Sequence, residues 1–208
     1  MAQVIEGVSG AVLAGGRSLR FGSDKASAPW NGSTLVESVS DLLGGLFRLR
    51  MIVVKTPGTL AHLARPDRLI VPDAFTEQHA LGGIYSALAA APTGRVFVCA
   101  CDMPFLRPEL IRALCTASSG FDAVVPIWQG ELQPLCAVYS KSCLPPMMRL
   151  VSEERLSVRE LFPRVRARVF SEAEVNDVDG EGRSFLDLDT RKDYATAKQG
   201  LPTSALSR

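Results

Sequence analysis

The chain has 208 residues, 47% of them hydrophobic and 22% charged, a balance that builds a buried core and excludes a disordered polymer. Lys plus Arg number 23 against 22 Asp plus Glu, so the formal net charge of +1 offers neither nucleic acid nor an anionic membrane a general electrostatic footprint. No apolar run approaches the ~20 residues a membrane-spanning helix needs.

The first predicted strand, Val8–Ala14, runs into Gly15-Gly16-Arg17-Ser18-Leu19-Arg20-Phe21-Gly22-Ser23-Asp24-Lys25. Paired glycines let a ligand approach the backbone, whose N–H groups can then hold an anion or a base edge. Arg17, Arg20 and Lys25 place three cations within nine residues, as a triphosphate cradle requires. Neither G-x-G-x-x-G nor G-x-x-x-x-G-K-[ST] occurs here, so dinucleotide and Walker loops are excluded. A glycine turn with solvated arginines is the bland alternative.

Leu35, Val39, Leu42 and Leu43 recur at helical spacing and predict the first helix. Strands Met51–Lys55 and Arg68–Pro72 follow, the second ending at Asp73. A carboxylate there can accept from ribose hydroxyls or from guanine N–H groups; it can equally cap a turn. Leu81-Gly82-Gly83-Ile84 then opens a helix carrying Ile84, Leu88 and Ala91.

The apolar strand Arg95–Cys101 stops at Asp102, with Pro104 close behind. A carboxylate at a strand's carboxyl end suits Mg²⁺, which takes one or two such oxygens and completes its shell with substrate phosphates. As an N-cap for the helix beginning near Arg107, with Leu110, Ile111 and Leu114, Asp102 comes five residues early. Cys99 and Cys101 share a strand face, but His62 and His79 are not spaced to complete a zinc site, so both thiols are read as core. Five cysteines in a chain that starts Met-Ala-Gln-Val-Ile-Glu, without the positive region of a secretory signal, suggest a cytoplasmic address.

Strand Asp122–Ile127 leads into a hairpin-like excursion, Trp128–Gln133, and strand Leu135–Tyr139. Ser157 and Glu160 have capping-box spacing, and strand Val165–Phe170 comes next. A last strand, Phe185–Leu188, would put Asp187 and Asp189 on one face; alternatively Asp189 or Thr190 caps a helix from Arg191. Residues 1–199 are expected to form one domain and 200–208 a polar, frayed tail. Strands alternating with helices indicate a three-layer α/β/α sandwich, Rossmann-like, with a mostly parallel sheet and its ligands beyond the strands' carboxyl ends.

The run from Leu13-Ala14-Gly15-Gly16 to Arg20-Phe21-Gly22-Ser23-Asp24-Lys25 resembles the L-A-G-G-x-S-x-R-[FM]-G-x-D-K signature of the molybdenum cofactor guanylyltransferases. Cys101-Asp102-Met103-Pro104-Phe105 is similar to the family's C-D-x-P-[FY], and Gly130 to Leu135 to its G-x-x-[QH]-P-L. The sequence departs from the family in two places. His79-Ala80 stands where the family has Gly-Pro, and Phe185-Leu186-Asp187-Leu188-Asp189-Thr190 carries aspartates for two asparagines.

The resemblance implies a nucleotidyltransferase that moves GMP from GTP to the terminal phosphate of molybdenum-molybdopterin and releases pyrophosphate. It assigns Lys25, Arg20 and Asp102 to catalysis. Nucleotide binding falls to Leu13, Ala14, Gly15, Gly16, Lys25, Asp73 and Asp102. Mg²⁺, or Mn²⁺, goes to Asp102, with Asp187 or Asp189 as a second carboxylate, and Gln133 and Pro134 lie on the acceptor side. Implied partners are GTP, the pterin, other cofactor-biosynthesis proteins and recipient molybdoenzymes, with no nucleic acid and no membrane. CMP transfer to the same pterin, NMP transfer to a sugar phosphate, and a non-catalytic nucleotide-binding module are the alternatives. Gly15-Gly16 favours the guanylyl branch, since relatives using CTP tend to carry L-A-A-G, and the retained Lys25 and Asp102 speak against a module without chemistry.

Overall fold

Val-, Ile- and Ala-rich runs that can be buried on both faces become the central strands, and amphipathic segments between them become covering helices. The structure, a computed structural model, describes residues 3–15, 25–188 and 190–198. In chain order the strands are β1 (Val8–Leu13), β2 (Pro29–Trp30), β3 (Ser33–Thr34), β4 (Arg50–Val54), β5 (Arg68–Pro72), β6 (Arg95–Ala100), β7 (Ala123–Trp128), β8 (Glu131–Leu132), β9 (Cys136–Ser140) and β10 (Ala167–Phe170). The helices are α1 (Leu35–Gly44), α2 (Ala80–Ala90), α3 (Pro108–Ala117), α4 (Leu144–Ser152), α5 (Glu172–Val178) and α6 (Arg191–Lys198).

The main sheet runs β10-β7-β9-β6-β1-β4-β5, with β8 attached to β7 and β2–β3 forming a separate ribbon. Strands β5, β4, β1 and β6 are parallel, as the continuous apolar runs predict, while β9 lies antiparallel between β6 and β7. Leu43, Phe97, Leu110, Ile111 and Val175 fill one face under α1, α3 and α5. Leu81, Ile84, Leu88, Met147 and Leu150 fill the other under α2 and α4. Burying each such side chain contributes roughly 1.5–3 kcal/mol, and together these two layers carry the fold. The three-layer sandwich is therefore the architecture observed. Among the described residues no helix is long and apolar enough to cross a membrane.

The expected hairpin forms: Gln129 (φ 52°) and Gly130 (φ 76°) both take the left-handed conformation that a tight antiparallel turn needs. Two expectations fail. Phe185–Leu188 is not a strand, because Arg183–Phe185 closes one 3₁₀ turn and the chain then runs on without a ladder partner. Its cause is Asp179, almost fully buried, whose carboxylate accepts from the amides of Arg183 (3.2 Å) and Ser184 (2.8 Å). The Ser157–Glu160 capping box is also absent; Ser157 precedes a 3₁₀ segment without capping it, and Glu160 pairs with Arg155 instead. Thr190 does cap α6, exchanging bonds with Asp193, whose amide donates to Thr190 Oγ1 at 3.0 Å.

Candidate active site

Parallel strands deliver their carboxyl ends to one edge, and β1 sits between β4 and β6. The amide of Ala14 donates to Val53 O (2.8 Å) and that of Cys101 to Leu13 O (3.2 Å), so the chain leaving β1 runs between the two neighbouring strand ends. Gly15 lies against Lys55 on one side: a Cβ there would come within 3.5 Å of the lysine. Asp102 lies on the other.

Lys25 returns to this edge and donates from Nζ to Asp102 Oδ2 at 2.6 Å. Their side chains are 9% and 19% exposed, so water screens the pair weakly. Asp102 Oδ1 is buried and has no hydrogen-bond partner among the described residues. An unpartnered buried carboxylate oxygen is costly, and a hard dication is the ligand that fits it. Among the described residues no cluster of three or more His, Cys, Asp and Glu could hold a metal alone. One fixed carboxylate, with substrate oxygens and water completing the shell, is how proteins usually hold Mg²⁺. Asp102 caps no helix: α3 begins at Pro108, and the amide of Arg107 donates to Ser184 Oγ at 2.9 Å.

Asp73, at the end of β5, is differently placed. Its Oδ1 accepts from the amide of Phe75 (3.1 Å) and lies 3.2 Å from Ser86 Oγ, while Oδ2 pairs with Lys55 Nζ at 3.2 Å. Lys55 also donates to the carbonyls of Phe75 (2.6 Å) and Glu77. The side chain of Gln78 donates to Gly15 O, tying this loop to the one after β1. Asp73 therefore holds a turn and an ion pair beside the glycine loop.

Gln133 and Pro134, expected on the acceptor side, reach the same edge, because the amide of Ala100 donates to Leu135 O at 3.2 Å. Gln133 is anchored by its amide to Pro126 O (2.8 Å), and Pro134 O accepts from Tyr139 Oη (2.7 Å). Asp187 is exposed and precedes Leu188, whose amide donates to Asp102 O at 3.1 Å. The strand face that Asp187 was to share with Asp189 does not exist, and Asp189, Gly16 and Arg20 lie outside the described residues. Cys99 and Cys101 are buried core thiols, and burial pushes the Cys99 thiol well up, as it does Cys115, to about 12. Thiols so hard to ionise make poor metal ligands.

The family model for the MobA-like NTP transferase domain matches residues 10–169. The chain belongs to the MobA-like NTP transferase family. It is 31% identical to the molybdenum cofactor guanylyltransferase of Desulfosudis oleivorans, over 98% of this chain and all of that one. It is 33% identical to a probable molybdenum cofactor guanylyltransferase of Pelotomaculum thermopropionicum, over 91% of each chain. Among solved structures, molybdopterin-guanine dinucleotide biosynthesis protein A of Archaeoglobus fulgidus superposes with a TM-score of 0.80 at 25% identity, covering 92% of this chain and 97% of that one. This MobA-like transferase thus keeps a nucleotidyltransferase fold across nearly its whole length. Its sequence concealed Lys55, Gln78 and Ser86, which build the loop beside Gly15; only their joint proximity to strand ends marks them out.

Proposed function

We propose that this transferase moves GMP from GTP onto the terminal phosphate of molybdenum-molybdopterin, giving molybdopterin guanine dinucleotide. An oxygen of the pterin's terminal phosphate forms a bond to the α-phosphorus of GTP, the bond from that phosphorus to the β-bridging oxygen breaks, and pyrophosphate leaves with the electron pair. The nucleophile is already anionic near neutral pH, so no general base is required. The difficulty lies in aligning two anions, and catalysis rests on positioning and charge neutralisation.

The observation that carries the reading is the Lys25–Asp102 pair with its unpartnered Oδ1 at the edge where β1, β4 and β6 end. Asp102 would hold a divalent cation, Mg²⁺ or Mn²⁺, with Asp187 or Asp189 as a second carboxylate. When bound, that ion supplies positive charge to phosphoryl oxygens. Lys25, kept in place by Asp102, brings a weakly screened cation to the phosphates, and Arg20 is assigned to the leaving oxygens. The backbone of Leu13, Ala14, Gly15 and Gly16 takes the base edge, with Asp73 organising the ribose side through Lys55. Gln133 and Pro134 face the pterin. Five free thiols, all buried, suit work in the cytoplasm, where proteins that supply the pterin and molybdoenzymes that receive the product would meet it.

Base choice tests the reading. Guanine offers N1–H and N2–H₂ donors and an O6 acceptor; cytosine presents a different pattern, and each buried group left unpaired costs roughly 1–3 kcal/mol. GTP with Mg²⁺ is expected to raise the Tm of the protein more than CTP or ATP at equal concentration. Equal or greater stabilisation by CTP moves the reading to CMP transfer.

A further inference from the structure

Helix α2 starts immediately beside the loop after β1, and its first turn is closed by a side chain with an ionisable acceptor. His79 is the N-cap, and its Nδ1 accepts from the amide of Gly82 at 2.9 Å. An imidazole nitrogen that accepts from an amide carries no proton, so the ring is neutral with its hydrogen on Nε2. Nε2 is itself buried and without a partner among the described residues. Packing around the turn is tight. A Cβ on Gly82 would meet His79 Cε1 at 3.0 Å and Asp73 Oδ1 at 3.1 Å, and one on Gly83 would meet Leu13 Cδ1 at 3.3 Å. The Phe75 ring lies 5.6 Å from the imidazole and 5.4 Å from the Tyr85 ring. Any loosening of the first turn of α2 therefore reaches Leu13, the residue at which β1 gives way to the nucleotide loop.

We infer that His79 is a positioning residue for the nucleotide: as a neutral acceptor it fixes the first turn of α2 against Leu13, and its protonation releases that turn. The inference rests on the nucleotide reading above. Adding a proton to Nδ1 turns the acceptor into a donor facing the Gly82 N–H, and the cap is lost. Burial disfavours the charged ring and holds its pKa below the ordinary value; Asp73 opposes this, Lys55 adds to it and Glu77 opposes it. A folded-state pKa depressed below the unfolded one contributes stability that is present above the unfolded value. That stability is lost as pH falls through the folded one.

The test compares wild type with His79→Asn, which caps without titrating, and His79→Ala, which does not cap. KM for GTP and kcat are measured from about pH 8 down to about pH 5, and Tm without nucleotide over the same range. Because GTP's own phosphate titration is common to all three proteins, only differences between them count. Wild-type KM is expected to rise about fivefold relative to His79→Asn as pH falls, the size of one lost cap, with kcat unchanged. His79→Ala should show the raised KM at every pH. Without nucleotide, wild-type Tm should fall relative to His79→Asn below about pH 6.5, the ordinary histidine value. Parallel KM and Tm profiles for wild type and His79→Asn overturn the inference, even if His79→Ala fails to fold. Absence of GTP binding in all three, with the Tm contrast intact, overturns the GTP reading and leaves the cap standing.

Discussion

Asp102 and Asp73 end two parallel strands of one sheet, each within reach of a lysine, yet they are built for different work. Asp102 meets Lys25 through Oδ2 and keeps Oδ1 buried without a partner among the described residues. Asp73, with a side chain only 8% exposed, has Oδ1 against the Phe75 amide and Ser86 and Oδ2 against Lys55. The first arrangement leaves coordinating capacity at the edge where we propose that phosphoryl charge is neutralised. The second uses that capacity to hold a loop. A strand-end aspartate thus announces the functional edge of the sheet, and its neighbours decide whether it meets a ligand or shapes the wall beside one.

The largest effect should come from breaking the first arrangement. Asp102→Asn is nearly isosteric, so the chain should still fold. Lys25, whose side chain is only 9% exposed, loses the Asp102 counter-charge, however, and Tm without ligand should fall about as far as in Asp73→Asn below. Loss of the carboxylate should cost several kcal/mol of transition-state stabilisation, on the order of a hundredfold or more in kcat. Excess Mg²⁺ should restore only part of it. Steady-state rates of GTP consumption with the pterin acceptor check this, and ordinary turnover in a folded Asp102→Asn protein would remove Asp102 from the metal site.

Asp73→Asn should act on binding more than on turnover. The amide can still accept from Phe75, but Lys55, whose side chain is only 21% exposed, loses its counter-charge in a partly buried place. The cost should be about 2 kcal/mol, roughly 4–8 °C of Tm in a chain of this size. KM for GTP should rise more than kcat falls, because the loop leans on Gly15 through Gln78. A kcat loss as deep as that of Asp102→Asn would show the two aspartates to be equivalent, and the comparison would fail.

How far the sequence discloses this difference depends on how local its causes are. Continuous apolar runs announce β1, β4, β5 and β6, and the spacing of Leu35, Val39 and Leu43 announces α1, because burial and periodicity are properties of short segments. That Asp102 lies beside the glycine loop also follows, once strands carrying both are neighbours in a parallel sheet. The commitments of Asp73 do not follow. They rest on Lys55 and Ser86, 18 and 13 residues away, with nothing in the spacing to pair them. The apolar–acidic alternation at Phe185–Leu188 reads as a strand for the same reason. What bends it into a turn is the buried Asp179, and what buries Leu188 is a satellite cluster with Trp30 and Leu35 far upstream. Local pattern fixes elements; the availability of a carboxylate is a tertiary property.

Ser86→Ala should give the smallest effect and the sharpest form of the comparison. Ser86 is buried on α2, and its Oγ accepts from the Ala74 amide at 2.9 Å. Its single proton serves Gly82 O at 2.8 Å or Asp73 Oδ1 at 3.2 Å. Removing the hydroxyl leaves the Ala74 amide without its acceptor and takes one of three contacts from Asp73. The ion pair with Lys55 and the bond from Phe75 remain. Two hydrogen bonds are lost, one accepted and one donated, but Ala74 is exposed and its amide can bond water. The net cost should be about 1 kcal/mol, which in a chain of this size is roughly 2–4 °C of Tm. Since the hydroxyl faces the turn and not the phosphates, kcat should stay at the wild-type value and KM for GTP should move less than in Asp73→Asn. Thermal melts and steady-state kinetics on the same preparation separate the two quantities. If Ser86→Ala instead lowers kcat while leaving Tm untouched, Asp73 is acting on the reacting groups themselves, and the division between a ligand-taking and a wall-building aspartate collapses.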